Sequence, residues 1–209
     1  MLLRFSRHGR RWPGLRNEAP AFLFALGGLR DGEEPSLFFG MMVGHATEAN
    51  GVFMKFTVVA VGKLKERFWA DACAEYLKRL QPYGKTVVKE VADVDPARVG
   101  GIDAAREREG AAILAVLSDA THVILLAIDG KERSSEGFSR RIDALKLGGA
   151  SDISFVIGGS DGVSEAVRAR ADETLSFGPI TLPHNLARVV LLEQLYRAQK
   201  ISRGEPYHK

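Results

Sequence analysis

Short apolar runs alternate with amphipathic segments along most of this chain. Runs rich in β-branched residues predict buried strands at residues 56–62, 86–91, 122–128 and 152–157. Apolar residues at helical spacing predict helices at residues 68–80, 103–117, 134–147 and 164–171. Asp129 and Gly130 predict a turn after the third strand. Strands that alternate with helices in this way predict an α/β fold, a parallel sheet covered by helices on both faces.

Residues 1–53 differ from the rest of the chain. They contain arginine but no lysine, and glycine and proline interrupt every hydrophobic period. We therefore expect a domain at residues 54–209, preceded by an extension that is disordered or arises from a misassigned start codon. A signal peptide is disfavoured because the apolar patch at 21–26 is short and runs into charged residues. An arginine-rich transit peptide is a further alternative.

Composition restricts the function only weakly. The 209 residues are 45% hydrophobic with a formal net charge of +3, which suits one sizeable core and neither demands nor excludes a nucleic-acid partner. The single cysteine, Cys73, excludes an intrachain disulfide, and we expect it to be a buried thiol. No apolar run approaches the ~18 residues that span a bilayer, so we expect a cytoplasmic protein without membrane contact.

Two loops are the candidate ligand site. One, at residues 177–183, combines two prolines and a glycine with apolar residues and leads through His184 to a helix with Asn185 as its predicted N-cap. The other, Gly158-Gly159-x-x-Gly162, follows a strand where open α/β sheets bind ligands. Glycines at strand ends serve tight turns equally often, so both interpretations remain open for the second loop.

The chemistry of these loops favours a nucleoside-like ligand. Their spacing departs from the dinucleotide fingerprint and from the phosphate-binding loop. The sequence has no Ser-His-Asp set, no paired carboxylates at obvious spacing and no His/Cys cluster, so hydrolase chemistry is disfavoured and no metal is expected. Backbone groups of two such loops suit S-adenosylmethionine, whose methyl needs only alignment with a deprotonated nucleophile.

Four ordered motifs resemble the RlmH (YbeA-like) family of SPOUT methyltransferases. They are Gly158-Gly159-x-x-Gly162, Thr181-Leu182-Pro183-His184, Glu193-Gln194-Leu195-Tyr196-Arg197-Ala198 and the ending Pro206-Tyr207-His208. The likeness spans residues 54–209. It implies a SPOUT fold with a C-terminal trefoil knot, and a homodimer. A set of apolar side chains on the last helix would pack either across the two-fold axis or in its own core: Val189, Val190, Leu192 and Leu195.

The resemblance also implies an activity. This is S-adenosylmethionine-dependent methylation of N3 of a pseudouridine in the helix 69 loop of 23S ribosomal RNA, with the assembled ribosome as substrate. The alternatives are a SPOUT enzyme for another RNA base, an RNA-binding module without catalysis, and a nicotinamide-dependent enzyme. The last is weakened because Gly62 stands alone after the first strand.

The resemblance assigns the cofactor contacts to two glycines and the apolar loop, with adenine lying among the apolar side chains. These contacts are Leu126, Gly158, Gly159, Gly178, Pro179, Ile180, Thr181, Leu182 and Pro183. Tyr207 and His208 are the leading catalytic pair, because the tail can become ordered over bound RNA and a histidine titrates in the useful pH range.

Further candidates lie on the last helix. His184 caps that helix, contacts the methionine part of the cofactor, or takes part in catalysis. Arg188 holds a phosphate or the uracil oxygens, or forms an exposed salt bridge. Glu193 and Arg197, four residues apart, suit an ion pair on the helix. The basic residues expected to face RNA are Lys63, Lys65, Arg67, Lys78, Arg79, Arg140, Arg141, Lys200 and Arg203.

Overall fold

The computed structural model describes residues 54–207, so the predictions for residues 1–53 and for His208 lie outside the described residues. The strands are β1 (Lys55–Val61), β2 (Lys85–Val91), β3 (His122–Glu132), β4 (Asp152–Ile157) and β5 (Glu173–Ser176). The helices are α1 (Arg67–Leu80), α2 (Ile102–Val116), α3 (Ser135–Leu147), α4 (Glu165–Arg170) and α5 (His184–Ser202). Short 3₁₀ turns lie at Gln81–Tyr83 and Pro96–Arg98.

The strands form one parallel sheet in the order β2-β1-β4-β3-β5. Parallel neighbours require crossover connections, which the intervening helices supply. Because all strands point the same way, the loops that follow them meet at one edge of the sheet. The predicted α/β fold with a parallel sheet is confirmed, and the trefoil knot stays a prediction.

Side chains of the sheet alternate between two apolar layers. On one face Phe56, Val58 and Ala60 of β1 pack in a cluster with residues of α1, α3 and α5. On the other face Val59 and Val61 pack with residues of α2 and α4. Since both faces are buried, β1 is apolar at every position from Val58 to Val61 and does not alternate there. Helices therefore cover both faces, as predicted.

The third strand is longer than the sequence predicted. β3 continues to Glu132, and its pairing with β5 shifts register between Leu126 and Lys131. A Cβ atom on Gly130 would lie 2.8 Å from the carbonyl carbon of Leu175. Glycine is required here by the close approach of β5, not by a turn. The interpretation of Asp129 and Gly130 as a turn was wrong, because an Asp-Gly pair also suits a bulge.

The start of α5 also differs from the prediction. The helix begins at His184, and Pro183 is the N-cap, whose carbonyl accepts a hydrogen bond from the Ala187 amide at 2.9 Å. Asn185 therefore lies in the first turn, and its Oδ1 is buried with no hydrogen-bond partner in the described part of the chain. The fixed φ of proline sets the chain direction at this point, so a side-chain cap is not needed.

The apolar face of α5 belongs to the core of its own chain. Leu191, Leu192 and Leu195 are fully buried in the cluster that joins α5 to α1, α3 and the sheet. Val189 and Val190 are half-buried. Own-core packing therefore holds for Leu192 and Leu195, and only the two valines remain available to a second copy.

The Leu192→Ala substitution is expected to lower the free energy of unfolding by about 2–5 kcal/mol, because it leaves a cavity between α5 and the sheet. The control is Leu147→Ala on α3, whose side chain is 83% exposed, and its effect should stay within ~0.5 kcal/mol. Urea unfolding followed by circular dichroism measures both. Wild-type unfolding of the Leu192 variant, together with dissociation on gel filtration, would contradict own-core packing.

Candidate functional site

A cavity of about 760 Å³ lies at the carboxyl edge of the sheet. Its walls come from the bulge of β3, the glycine loop after β4, and the loop between β5 and α5. Small-molecule sites typically have volumes of about 300–1,000 Å³. Open α/β sheets bind ligands beyond the carboxyl ends of their strands, so this is the candidate ligand site.

The predicted cofactor residues converge on this cavity. All of them line it except Pro179, which is exposed: Leu126, Gly158, Gly159, Gly178, Ile180, Thr181, Leu182 and Pro183. Ile180 is 58% exposed although it is a large apolar residue of the wall. An apolar ligand lying against this side chain would remove part of it from water.

The glycine loop after β4 is closely packed against its neighbours, and it also forms part of the cavity wall. A Cβ on Gly158 would lie 2.6 Å from Val163 Cγ1, and one on Gly159 would lie 2.7 Å from Glu109 Oε2. Gly162, with φ of +90°, closes the turn through its amide, which donates to the Gly159 carbonyl at 3.2 Å. The turn therefore requires these glycines and also lines the cavity, while ligand binding by this loop stays a prediction.

Ser176, which the sequence analysis did not single out, shapes the other loop. Its hydroxyl donates to the Ile128 carbonyl at 3.0 Å and accepts from the Gly178 amide at 3.1 Å. Gly178 has φ of +105°, a region that favours glycine. The loop between β5 and α5 is thus tied to the bulge of β3. A serine two residues before a glycine is a turn signal that could have indicated this role.

His184 and Arg188 meet at the end of β1. His184 lines the cavity, and its Nε2 would lie 3.1 Å from a Cβ on Gly62, whose φ is +83°. Arg188 Nη2 donates to the Gly62 carbonyl at 2.9 Å, and Nη1 donates to Glu90 Oε1 at 2.6 Å. Two of the predicted catalytic residues therefore flank one glycine.

Arg188 is not the exposed residue that the sequence suggested. Its side chain is 1% exposed, and its Nε has no hydrogen-bond partner among residues 54–207. Since a buried cation must be paired, Glu90 is a further residue of this region, and its position at the end of β2 gave no sequence signal. Arg188 does not line the cavity in the described part of the chain.

Glu109 of α2 is a second buried charge that the sequence did not indicate. It lies in the charged first half of the helix, yet only 6% of the residue is exposed. Its Oε1 accepts from the Val94 amide at 2.9 Å, and its Oε2 lies beneath Gly159. Burial raises the pKa of this carboxyl, and the neighbouring Asp93 and Asp161 act in the same direction.

The C-terminal segment folds back along α5. The Tyr207 hydroxyl donates to Glu193 Oε1, and the Arg197 guanidinium lies 3.6 Å from the centroid of the Tyr207 ring. Arg197 also pairs with Glu193, as predicted. Burial, followed by the hydrogen bond to Glu193, raises the pKa of Tyr207. Tyr207 does not line the cavity within residues 54–207.

A cluster of tyrosines gives the C-terminal segment a second attachment to the rest of the domain. All four tyrosines of the chain form one cluster, with ring centroids of Tyr196 lying 6.4, 6.0 and 5.7 Å from those of Tyr76, Tyr83 and Tyr207. The Tyr83 hydroxyl donates to Glu205 Oε2 at 2.6 Å. The tail up to Tyr207 is therefore held at Tyr83 and again at Glu193, and His208 follows the second anchor directly.

Within residues 54–207 no group of three or more His, Cys, Asp or Glu side chains is arranged to hold a metal ion. None of the helices in that range is long and apolar enough to cross a lipid bilayer. Cys73 is a buried free thiol, as predicted, and burial raises its pKa.

Comparison with known proteins identifies the class. A family model described as a predicted SPOUT methyltransferase matches residues 54–208. A tRNA methyltransferase structure from Aquifex aeolicus is a distant likeness, with 16% identity, a TM-score of 0.46 and coverage of 75% of this chain and 74% of that chain. The chain is therefore a SPOUT methyltransferase by its sequence.

Close relatives narrow the class further. Proteins named ribosomal RNA large subunit methyltransferase H from Listeria welshimeri and Listeria monocytogenes are 51% and 52% identical over 159 residues. One from Bacillus cytotoxicus is 50% identical over 159 residues. Each alignment covers 75% of this chain and 100% of the relative. The chain belongs to the RlmH family of ribosomal RNA large subunit methyltransferases.

The anchor at Tyr83 has a measurable pH signature. Burial and the hydrogen bond to Glu205 raise the pKa of Tyr83 to about 12, against about 10 for an ordinary tyrosine. The contribution of this raised pKa to the free energy of unfolding is therefore complete below pH ~10, and it is lost as the pH rises through ~12. The Glu205→Gln substitution should move the pKa of Tyr83 back towards the ordinary value, and only part of the way because burial remains.

Tyrosinate absorbance against pH measures this, with the Tyr83→Phe protein identifying the Tyr83 component. Glu75→Gln, which removes the partner of Arg79 on α1, is the matched control and should leave that component unchanged. An unaltered Tyr83 titration in the Glu205 variant would show that the tail is not held at Tyr83.

Proposed function

We propose that this chain transfers the methyl group of S-adenosylmethionine to N3 of a pseudouridine in the helix 69 loop of 23S ribosomal RNA. It acts as a homodimer on assembled ribosomes in the cytoplasm, and residues 54–209 are the functional domain. The observation that carries the proposal is the convergence of the predicted cofactor loops on one cavity. Membership of the RlmH family supports an RNA of the large subunit as substrate.

The walls of the cavity suit S-adenosylmethionine. Leu126, Ile180 and Leu182 offer apolar surface for the adenine ring, and backbone groups of the two loops are available to its polar edge. Gly158 and Gly159 let the loop pack closely on Val163 and Glu109, and the loop itself lines the cavity. When bound, the cofactor supplies a methyl group on a sulfonium leaving group.

Tyr207 and His208 have different roles in the proposed reaction. The Tyr207 hydroxyl is protonated at neutral pH, as in an ordinary tyrosine, and burial raises its pKa further, so Tyr207 serves as a hydrogen-bonding group or a stacking surface and not as a base. His208 is the general base in this proposal, since an imidazole accepts a proton near neutral pH and the N3 proton must be removed. The two anchors of the tail fix the point from which His208 reaches the RNA.

On α5, His184 contacts the cofactor or the base from the rim of the cavity. We infer that Arg188 acts as a positioning residue and not as a phosphate ligand, because reaching a phosphate would break its buried pair with Glu90. Its bond to the Gly62 carbonyl holds the end of β1 against His184.

For the homodimer, a surface around Val190 is the best candidate. Val190 is half-buried and lines a second cavity of about 360 Å³, together with Phe177 and Gln194. Phe177 and Gly178 belong to both cavities, so a second copy seated here would press on the wall of the ligand site. Leu192 and Leu195 take no part, because they are buried in their own core.

The Gly159→Val substitution should abolish detectable S-adenosylmethionine binding in a folded protein. The added side chain meets Glu109 Oε2 and Val61 Cγ1 and must displace the loop into the cavity. Isothermal titration measures the affinity, and circular dichroism checks the fold. Ala166→Val, at an exposed position of α4, is the control and should bind like wild type. Unchanged affinity in the Gly159 variant would remove the glycine loop from the site.

The reaction is tested by transfer of tritium from labelled S-adenosylmethionine to intact ribosomes. Label is expected in ribosomes that contain pseudouridine and not in ribosomes that lack it. His208→Ala should reduce the rate by about 10²–10⁴-fold, the usual contribution of a general base, with cofactor affinity retained. Lys209→Ala is the neighbouring control. Equal labelling of both ribosome types would redirect the search to another base, and full activity of His208→Ala would exclude its role.

A further inference from the structure

The connection after β1 and the first turn of α1 together expose aromatic and basic side chains. Phe68 is 62% exposed, although it is a large apolar residue, and its ring centroid lies 4.8 Å from that of Trp69. Lys63 and Lys65 are exposed, and the Arg67 side chain is 93% exposed. We refer to residues 63–69 as the basic–aromatic segment.

This segment is fixed to the edge of the sheet that carries the cavity. It starts directly after Gly62, which contacts His184 of the cavity wall and accepts a hydrogen bond from Arg188. Leu64 packs against the core, and its amide donates to Glu90 Oε1 at 3.4 Å. Its polar and aromatic groups are therefore presented from an anchored backbone beside the ligand site.

The charges on the segment are available to a partner. Arg67 Nε lies 3.5 Å from Asp71 Oδ2, but both side chains are largely exposed, so water screens this pair. Glu66, the N-cap residue of α1, makes no side-chain cap hydrogen bond. Three cations within five residues, opposed by Glu66 and Asp71, give the surface a net positive charge.

We propose that the basic–aromatic segment docks an unpaired stretch of the RNA substrate, with Phe68 stacking on a base and the cations holding the adjacent phosphates. Loop RNA is recognised through unstacked bases that stack on aromatic side chains, with basic residues along the backbone. This inference rests on the proposed function, because it takes the ribosomal RNA of that reaction as the occupant.

Charge favours RNA over a second copy of the chain as the occupant. In a two-fold contact the same surface meets itself, so the lysines of two copies would be brought together. Like charges placed opposite each other disfavour such an interface. Phosphates of RNA are complementary to the same lysines, and a base offers an apolar face to Phe68.

The test compares Phe68→Ala with Leu147→Ala, a truncation of another exposed apolar residue. Phe68→Ala should raise the apparent KM for ribosomes by about 5- to 100-fold, the range found when a base loses its aromatic platform, and leave S-adenosylmethionine affinity unchanged. Lys63→Ala combined with Lys65→Ala should also raise KM and flatten its dependence on salt. Leu147→Ala should behave as wild type.

Binding is measured separately from activity, so that failure of this inference and failure of the proposed function are distinguishable. In the full chain carrying Trp12→Phe, Trp69 is the remaining tryptophan, and titration with a single-stranded oligoribonucleotide of the helix 69 loop sequence should quench its fluorescence. Quenching without methyl transfer would reject the proposed reaction and support RNA docking.

Three results would overturn the docking proposal. The first is methyl transfer with an unchanged KM in the Phe68 variant. The second is an absence of quenching in the Trp69 titration at low salt. The third is a lower oligomeric state of Phe68→Ala on analytical ultracentrifugation, which would make this surface a contact between copies.

Discussion

The organisation of the site depends on one buried cation. The Arg188 guanidinium is 1% exposed, and removing such a group from water costs several kcal/mol unless partners compensate for its lost hydration. Glu90 at the end of β2 and the Gly62 carbonyl at the end of β1 supply that compensation. The requirement to satisfy one side chain thereby joins two strand ends to the first turn of α5. It also fixes where His184 enters the cavity wall and where the basic–aromatic segment begins.

The rest of the cavity is built by close approach of backbone. Gly130 allows β5 to approach the bulge of β3, Gly159 lies against Glu109, and Gly178 takes a positive φ beside Ser176. Where glycines bring chains together in this way, peptide groups form part of the wall beside apolar side chains such as Leu126, Ile180 and Leu182. Such a wall suits a ligand whose identity is read by backbone hydrogen bonds and apolar contact. This explains how mostly uncharged loops can form a specific site.

The sequence predicted the sheet, its two covered faces and the lining of the cavity, because hydrophobic period and glycine-rich strand ends are local signals. It did not predict the pairing of Arg188 with Glu90, which are 98 residues apart and which no period connects. Nor did it predict that Glu109 of α2 is buried, since burial of a single helix position depends on which loop lies above it. The Asp129-Gly130 turn and the Asn185 cap were wrong for a related reason. The local signals were real, but the close approach of Leu175 decided the first outcome and the backbone geometry at Pro183 decided the second.

The contacts of Tyr207 distinguish its proposed role from that of the neighbouring His208. Tyr207 is held by Glu193 and by the Arg197 guanidinium over its ring, and burial raises its pKa, so it is fixed in place and stays protonated. A residue held in this way is suited to orientation and poorly suited to accepting a proton. The proposal therefore assigns proton transfer to the next position along the chain, His208. Since Glu205 is already bound to Tyr83 and Lys200, anchoring precedes His208 at two points. In the proposed reaction the base, His208, would follow a fixed attachment point, which would lower the entropy cost of bringing it to bound RNA.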